Sequence, residues 1–196
     1  MGSYSQRFED ALVLAATAHR NQLRKGSNTP YITHPVHVAR ILTHYGYDED
    51  IVIAGLLHDV IEDCDLQPQE IAGRFGLYVA EIVVAISEQK RAAGGEIPWE
   101  ERKANQLAAL RDAPIEAVVV KAADTLHNLL ATYADVEREG EIVWQRFKRG
   151  RGPSMAHHRA VVATIEERMG DHPLVHELKQ ALKALDQTTQ SPSSSQ

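Results

Sequence analysis

The chain has one cysteine, Cys64. No internal disulfide can form, which points to a reducing, cytoplasmic compartment and away from small disulfide-stapled folds. Long apolar runs are also missing. None approaches the roughly 18 consecutive apolar residues of a membrane span, and residues 1–10 lack the basic-then-apolar form of a secretory signal, so no membrane association is expected. Positive charge is scarce: 21 Lys and Arg stand against 27 Asp and Glu, for a net charge of −6. That excludes a general binder of nucleic-acid polymers. A small anionic ligand is still compatible, provided a metal or a local basic cluster offsets the field. Strand-like alternation is rare, and there is neither an internal repeat nor a linker between two cores.

What is present is ordinary globular material: 196 residues, 43% hydrophobic and 24% charged, enough to bury a core in one domain. Apolar residues at Leu12, Ala15, Ala16 and His19 follow the i, i+3, i+4, i+7 pattern of a helix over 8–19. Residues 24–30 read as a loop, 35–44 as a second helix, and 51–62 as a central helix apolar on nearly all sides through Leu57. Further helices are expected over 67–75, from Gly76 to about 90, over 98–111, from Ile115 through Leu130, and over 155–169 and 173–185, with 91–97 a loop. The expectation is one all-α domain over 1–186, followed by a disordered Ser/Gln/Thr tail over 187–196.

Polar residues inside the two most apolar helices carry the functional signal. His58 and Asp59 directly follow Gly55-Leu56-Leu57, and Asp124 sits between Ala123 and Leu126 on the 115–130 segment. A buried carboxylate without a partner is costly, so each needs a cation or a set of donors. A structural ion pair would satisfy that need equally well. Three features favour a site. Glu62 and Asp63 follow His58 and Asp59 four residues on, about 40° round an unbroken helix. Lys121 and Asn128 share a face with Asp124, at i−3 and i+4, a combination suited to a ligand. His34 stands just before a helix, in Tyr31-Ile32-Thr33-His34-Pro35. Two imidazoles with two carboxylates make a reasonable ligand set for a divalent transition metal such as Mn, Fe or Zn.

The ordered set His34, His58-Asp59 and Asp124 resembles the H…HD…D signature of the HD superfamily of metal-dependent phosphohydrolases. Longer stretches are similar to the alarmone hydrolases, the guanosine-3′,5′-bis(diphosphate) 3′-pyrophosphohydrolases: Arg24-Lys25-Gly26 through Pro30-Tyr31-Ile32-Thr33-His34-Pro35, the segment from Leu56 to Asp63, and that from Val120 to Asn128. The resemblance covers roughly residues 8–133 and implies an all-α fold. It also implies one divalent ion, usually manganese (Fe, Zn, Co or Mg otherwise), bound by His34, His58, Asp59 and Asp124. Glu62 and Asp63 match the acidic pair that positions or deprotonates the attacking water. Arg24 and Lys25 match basic residues near the nucleotide, and Asn128 matches a nucleotide contact. The implied partner is a small phosphorylated nucleotide. No region fits a nucleotidyltransferase, so no synthetase activity is expected. The oligomeric state, including a homo-oligomer, is left open.

Two positions depart from that pattern. Thr125 stands where the alarmone hydrolases usually carry Arg or Lys, and Ala131 where they often carry Thr. These keep two alternatives open: an HD-type nucleotide phosphomonoesterase of other specificity, and a nucleotide-binding module without turnover. His19, His127, Trp99 and Trp144 are expected to pack, His37 to sit at the surface, and the basic run 146–151 to be a solvated loop. Nothing marks Cys64 as a nucleophile.

Overall fold

The computed structural model describes residues 5–92 and 95–188. The expected disordered tail lies outside the described residues from 189 onward, as does Gly94 of the expected loop, whereas Gln187 ends a helix. Helix α1 is Gln6–Ala18, opened by Ser5, whose hydroxyl accepts from the Phe8 N–H. The chain then forms α2 (Thr33–His44), α3 (Glu49–Leu57), α4 (Val60–Cys64), α5 (Pro68–Phe75) and α6 (Leu77–Ile86). A two-stranded hairpin, β1 (Arg91–Ala92) with β2 (Gly95–Glu96), occupies the segment expected as a loop. Helices α7 (Trp99–Asp112) and α8 (Ile115–Glu139), a 3-10 helix (Gly140–Arg146), α9 (Arg151–Met169) and α10 (Pro173–Gln187) complete an all-α architecture.

Helix α8 is the axis of the molecule. It packs on α2, α3, α6, α9 and α10, and its residues from Ala122 to Leu126 are buried without interruption. Helix α3 is buried from Ile51 through Leu57, as its lack of a polar face requires. Gly55 lets α2 approach closely: a Cβ there would collide with Leu42 and crowd Val38. The core is one cluster that includes Ile53, Leu56, Leu57, Leu126, Leu129 and Ile165. Among the described residues no helix is long and apolar enough to cross a membrane.

The expected continuous helix over 51–62 is interrupted. Helix α3 ends at Leu57, Asp59 adopts φ −101° and ψ −5°, and α4 restarts at Val60. The His58 imidazole explains the break. Its Nδ1 bonds to the Gly55 carbonyl at 2.8 Å, the acceptor that an unbroken helix would offer to the Asp59 N–H. Helix α6 stops at Ile86, where the Ser87 hydroxyl and its own N–H both donate to the Val83 carbonyl, at 2.7 and 3.1 Å. Residues 87–90 then carry no helix and bring Lys90 to the acidic pair on α4. Helix α8 runs nine residues past Leu130, to Glu139, and α9 begins at Arg151 rather than Met155.

Candidate active site

Three separated segments converge at one buried point. His34 lies in the first turn of α2, set by a tight turn in which its N–H donates to the Tyr31 carbonyl at 2.8 Å. His58 and Asp59 occupy the break between α3 and α4, and Asp124 comes from the middle of α8. Ligand atoms of His34, His58 and Asp59 all lie within 4.8 Å of one another. His58 Nε2 is 2.9 Å from Asp59 Oδ2 and 3.8 Å from Asp124 Oδ1. His34 Nε2 is 3.1 Å from Asp124 Oδ1 and 3.7 Å from Asp59 Oδ2.

The polarity of this cluster fits a cation. The Nδ1 of His58 is committed to the Gly55 carbonyl, so in the neutral ring Nε2 carries a lone pair. That nitrogen is buried and faces two carboxylates, the nearer of them Asp59. Lone pairs from two imidazoles and two carboxylates crowd one small volume. A proton on His58 is a partial answer: burial opposes it, but the neighbouring Asp59 outweighs burial and pushes the imidazole up to about 9. Burial, in contrast, lowers His34. Burial would raise the two carboxyls as well. The His58 imidazole beside Asp59 and the Lys121 ammonium beside Asp124 outweigh it, holding both groups well below the usual carboxylate range. A divalent cation satisfies all four donors at once, and His34, His58 and Asp59 form a candidate site for one.

Asp124 is fixed by the two neighbours expected from its helix face. Lys121 Nζ donates to its Oδ2 at 2.7 Å and Asn128 Nδ2 to its Oδ1 at 2.6 Å. Burial opposes the charge on Lys121, but Asp124 outweighs burial and holds the ammonium up at about 12. Lys121 is therefore engaged with Asp124 rather than turned outward. Arg24 Nη2 donates to Asn128 Oδ1 at 2.9 Å, which ties the loop before α2 to the same cluster. Arg24, Lys25 and Asn128 line a cavity of about 310 Å³, with the Arg24 guanidinium over the Tyr31 ring and the Lys25 ammonium over Phe147.

Glu62 and Asp63 line a second cavity of about 600 Å³. Lys90 Nζ sits 3.2 Å from Glu62 Oε1 and 2.5 Å from Asp63 Oδ1. Glu62 Oε2 accepts the Glu88 N–H at 3.1 Å, and Asp63 Oδ2 accepts from Gln22 Nε2 at 3.0 Å. Burial, reinforced by Asp59, raises the Glu62 carboxyl above its ordinary value. Burial and then Asp63 push the Cys64 thiol up to about 11, which disfavours the thiolate at neutral pH.

Several participants were not read from the sequence. Tyr31, inside the motif that contains His34, donates its hydroxyl to Asp59 Oδ2 at 2.5 Å. Lys90 reaches the acidic pair only because α6 stops early. His127, expected to pack because it points away from Asp124, instead meets a residue of another helix: its Nδ1 lies 2.7 Å from His34 Nδ1. Burial, then the neighbouring His34 and Arg24, lower His127 to about 3, so it is neutral, and one of the two rings donates to the other. With His34 as the donor, its Nε2 presents a lone pair to the cluster. Loss of such a support weakens a metal about 10–100-fold. The same loss is expected for His127→Ala in a chelator competition, with partial rescue by His127→Gln. His19 packs as expected, buried and bonded to Gln22 at 2.7 Å, and His37 is exposed.

Residues 11–155 match the model of the HD domain family. The mouse protein named guanosine-3′,5′-bis(diphosphate) 3′-pyrophosphohydrolase MESH1 is 41% identical over 132 residues, covering 66% of this chain and 71% of that protein. Among solved structures, one described as a metazoan ortholog of SpoT that hydrolyzes ppGpp superposes with a TM-score of 0.77 at 28% identity, covering 93% of this chain and 97% of the other. A protein from Listeria monocytogenes EGD-e superposes with a TM-score of 0.69 at 33% identity, over 76% and 96% of the two chains. The family match spans well over half of the sequence and includes all four converging side chains, so the chain belongs to the HD domain family.

Proposed function

We propose that this chain is a metal-dependent phosphohydrolase that releases pyrophosphate from the 3′ position of guanosine 3′,5′-bis(diphosphate) or a closely related nucleotide. The observation that carries the reading is the convergence of the buried His58 Nε2 and His34 Nε2 on Asp59 and Asp124, with Glu62, a carboxyl raised above its ordinary value, lining the cavity nearby. The relatives named for this reaction supply the substrate class. His34, His58, Asp59 and Asp124 would hold the divalent ion. When bound, it polarises a phosphoryl oxygen and lowers the pKa of water. Manganese is the ion proposed, from the resemblance noted above.

The chain's own residues do the rest. Glu62 accepts a proton from the attacking water, and Asp63, fixed by Gln22 and Lys90, orients it. Attack at the phosphorus joined to the ribose 3′-oxygen breaks that P–O bond. The 3′-oxygen leaves with a proton, giving a nucleoside diphosphate and pyrophosphate. Arg24 and Lys25 neutralise phosphate charge, and Arg24 also offers a planar cation to the base.

Incubation with Mn²⁺ and guanosine 3′,5′-bis(diphosphate) should yield pyrophosphate and guanosine 5′-diphosphate in equal amounts. Orthophosphate released from nucleoside monophosphates, with the bis(diphosphate) left intact, would overturn the substrate assignment in favour of a phosphomonoesterase. Tight binding of an intact nucleotide across several metals would point to a module without turnover.

A further inference from the structure

The smaller cavity ends on a residue that neither the metal cluster nor the acidic pair uses. Asp135 lies on α8 eleven residues after Asp124 and seven after Asn128. At 100° per residue these three fall within about 40° of one another, and with Ala131 within about 60°, a single stripe along the helix. The stripe runs from the candidate metal site past Asn128 to Asp135, about 10 Å further along the axis at 1.5 Å per residue. Asn128, Ala131 and Asp135 all line the cavity, together with Arg24, Tyr31 and Phe147. A nucleotide held by its 3′ phosphates at the near end would extend its base toward the far end.

Asp135 is held there by two arginines. Arg146 Nη1 donates to its Oδ2 at 2.9 Å, and Arg138 Nη2 to its Oδ1 at 2.5 Å. Arg146 is itself clamped. Its side chain is 15% exposed, it also pairs with Glu139, and its aliphatic stem lies against Gly26, where any Cβ would collide with it. Gly26 has φ +72°, so the basic loop that carries Arg24 and Lys25 is shaped around this arginine. The basic run expected as a solvated loop thus begins with a residue built into the cavity wall. A carboxylate has about four acceptor positions, and the two arginines use two. The remaining capacity is acceptor-only, beside the flat surfaces of Tyr31, Phe147 and the Arg24 guanidinium.

We propose that Asp135, fixed by Arg146, reads the base of the nucleotide and selects guanine over adenine. Guanine presents two adjacent donors, N1–H and the N2 amino group, which match the two oxygens of a carboxylate. Adenine presents an acceptor at N1 and no amino group at C2, so the same carboxylate meets a lone pair and loses its partner. A site built to bond a donor discriminates against the analogue that lacks it, because its own polar group is left unpaired. This inference rests on the hydrolase reading given above and names the specificity residue within it.

The test compares kcat and KM for guanosine and adenosine 3′,5′-bis(diphosphates) with the wild-type protein, Asp135→Ala and Asp135→Asn. A bidentate contact at this partly exposed site predicts a wild-type preference for guanosine of about 10–100-fold. Asp135→Ala should erase most of that preference by raising KM for guanosine, with kcat held within about threefold and the adenosine values nearly unchanged. Asp135→Asn, of the same shape, should move the ratio toward adenosine because its amide can donate to N1. Thermal melting of each variant checks that the fold survives without its Arg146 pair. Equal losses on both substrates, or no base preference in the wild type, would overturn the assignment of Asp135 and leave the hydrolase reading standing. Should neither substrate be cleaved, the hydrolase reading fails. Calorimetric binding of guanosine and adenosine 5′-diphosphates to the same three proteins then decides the role of Asp135 independently.

Discussion

Replacing Asp59 with asparagine is expected to abolish hydrolysis and to strip the protein of its divalent ion. Asp59 is the residue on which the cluster's polarity turns. Its Oδ2 stands 2.9 Å from His58 Nε2, 3.7 Å from His34 Nε2 and 2.5 Å from the Tyr31 hydroxyl. A carboxamide keeps the shape, removes a charge, and turns either a weaker acceptor or an N–H toward the two imidazoles. An ion that binds only the folded state stabilises it by about 2.7 kcal/mol at a hundred times its Kd. At about 2–4 °C per kcal/mol for a chain of this size, the wild type should melt about 5–10 °C higher with excess Mn²⁺. The variant should show no such rise and less than about a tenth of an equivalent of bound metal by elemental analysis. Turnover should fall by at least about 10³-fold, since both nucleophile activation and phosphoryl polarisation depend on the ion. Wild-type metal content together with wild-type turnover in Asp59→Asn would remove this cluster from the reaction. Circular dichroism of the variant guards against trivial unfolding.

The sequence made the candidate ligands legible for the reason that makes them costly. His58, Asp59 and Asp124 interrupt otherwise unbroken apolar helices, and no surface role explains a carboxylate between Ala123 and Leu126. The all-α architecture was legible from periodicity, because α1, α2, α8 and α10 each carry a buried stripe. The break after Leu57 was not, because periodicity carries no term for a side chain that takes a backbone acceptor, as His58 takes the Gly55 carbonyl. The supporting residues were hidden for a different reason. Lys90, His127 and Arg146 act on partners 27, 93 and 11 positions away, on other elements or across a turn, so helical spacing says nothing about them. Spacing did identify the two neighbours of Asp124, although Lys121, read as facing a ligand, spends its charge on Asp124 itself.

Changing Glu62 to glutamine should lower kcat by about 10²–10⁴-fold, the usual worth of a general base, while bound metal and the Mn²⁺ melting shift stay at wild-type levels. That split separates proton transfer from metal holding, which the Asp59 variant cannot do. The pH profile supplies an independent reading. Burial and the nearby Asp59 raise the Glu62 carboxyl, while Lys90 at 3.2 Å works in the opposite direction. A general base must be ionised, so kcat/KM should fall as pH drops through this raised pKa, placing the acid limb above the pH expected of an ordinary glutamate. Lys90→Met removes the opposing cation and should move that limb to still higher pH. The limb should vanish from the residual activity of Glu62→Gln. A limb unmoved by Lys90→Met and retained in Glu62→Gln would assign the titration elsewhere. Asp63, which shares Lys90 at 2.5 Å and is the other half of the acidic pair, would then be the next candidate for the base.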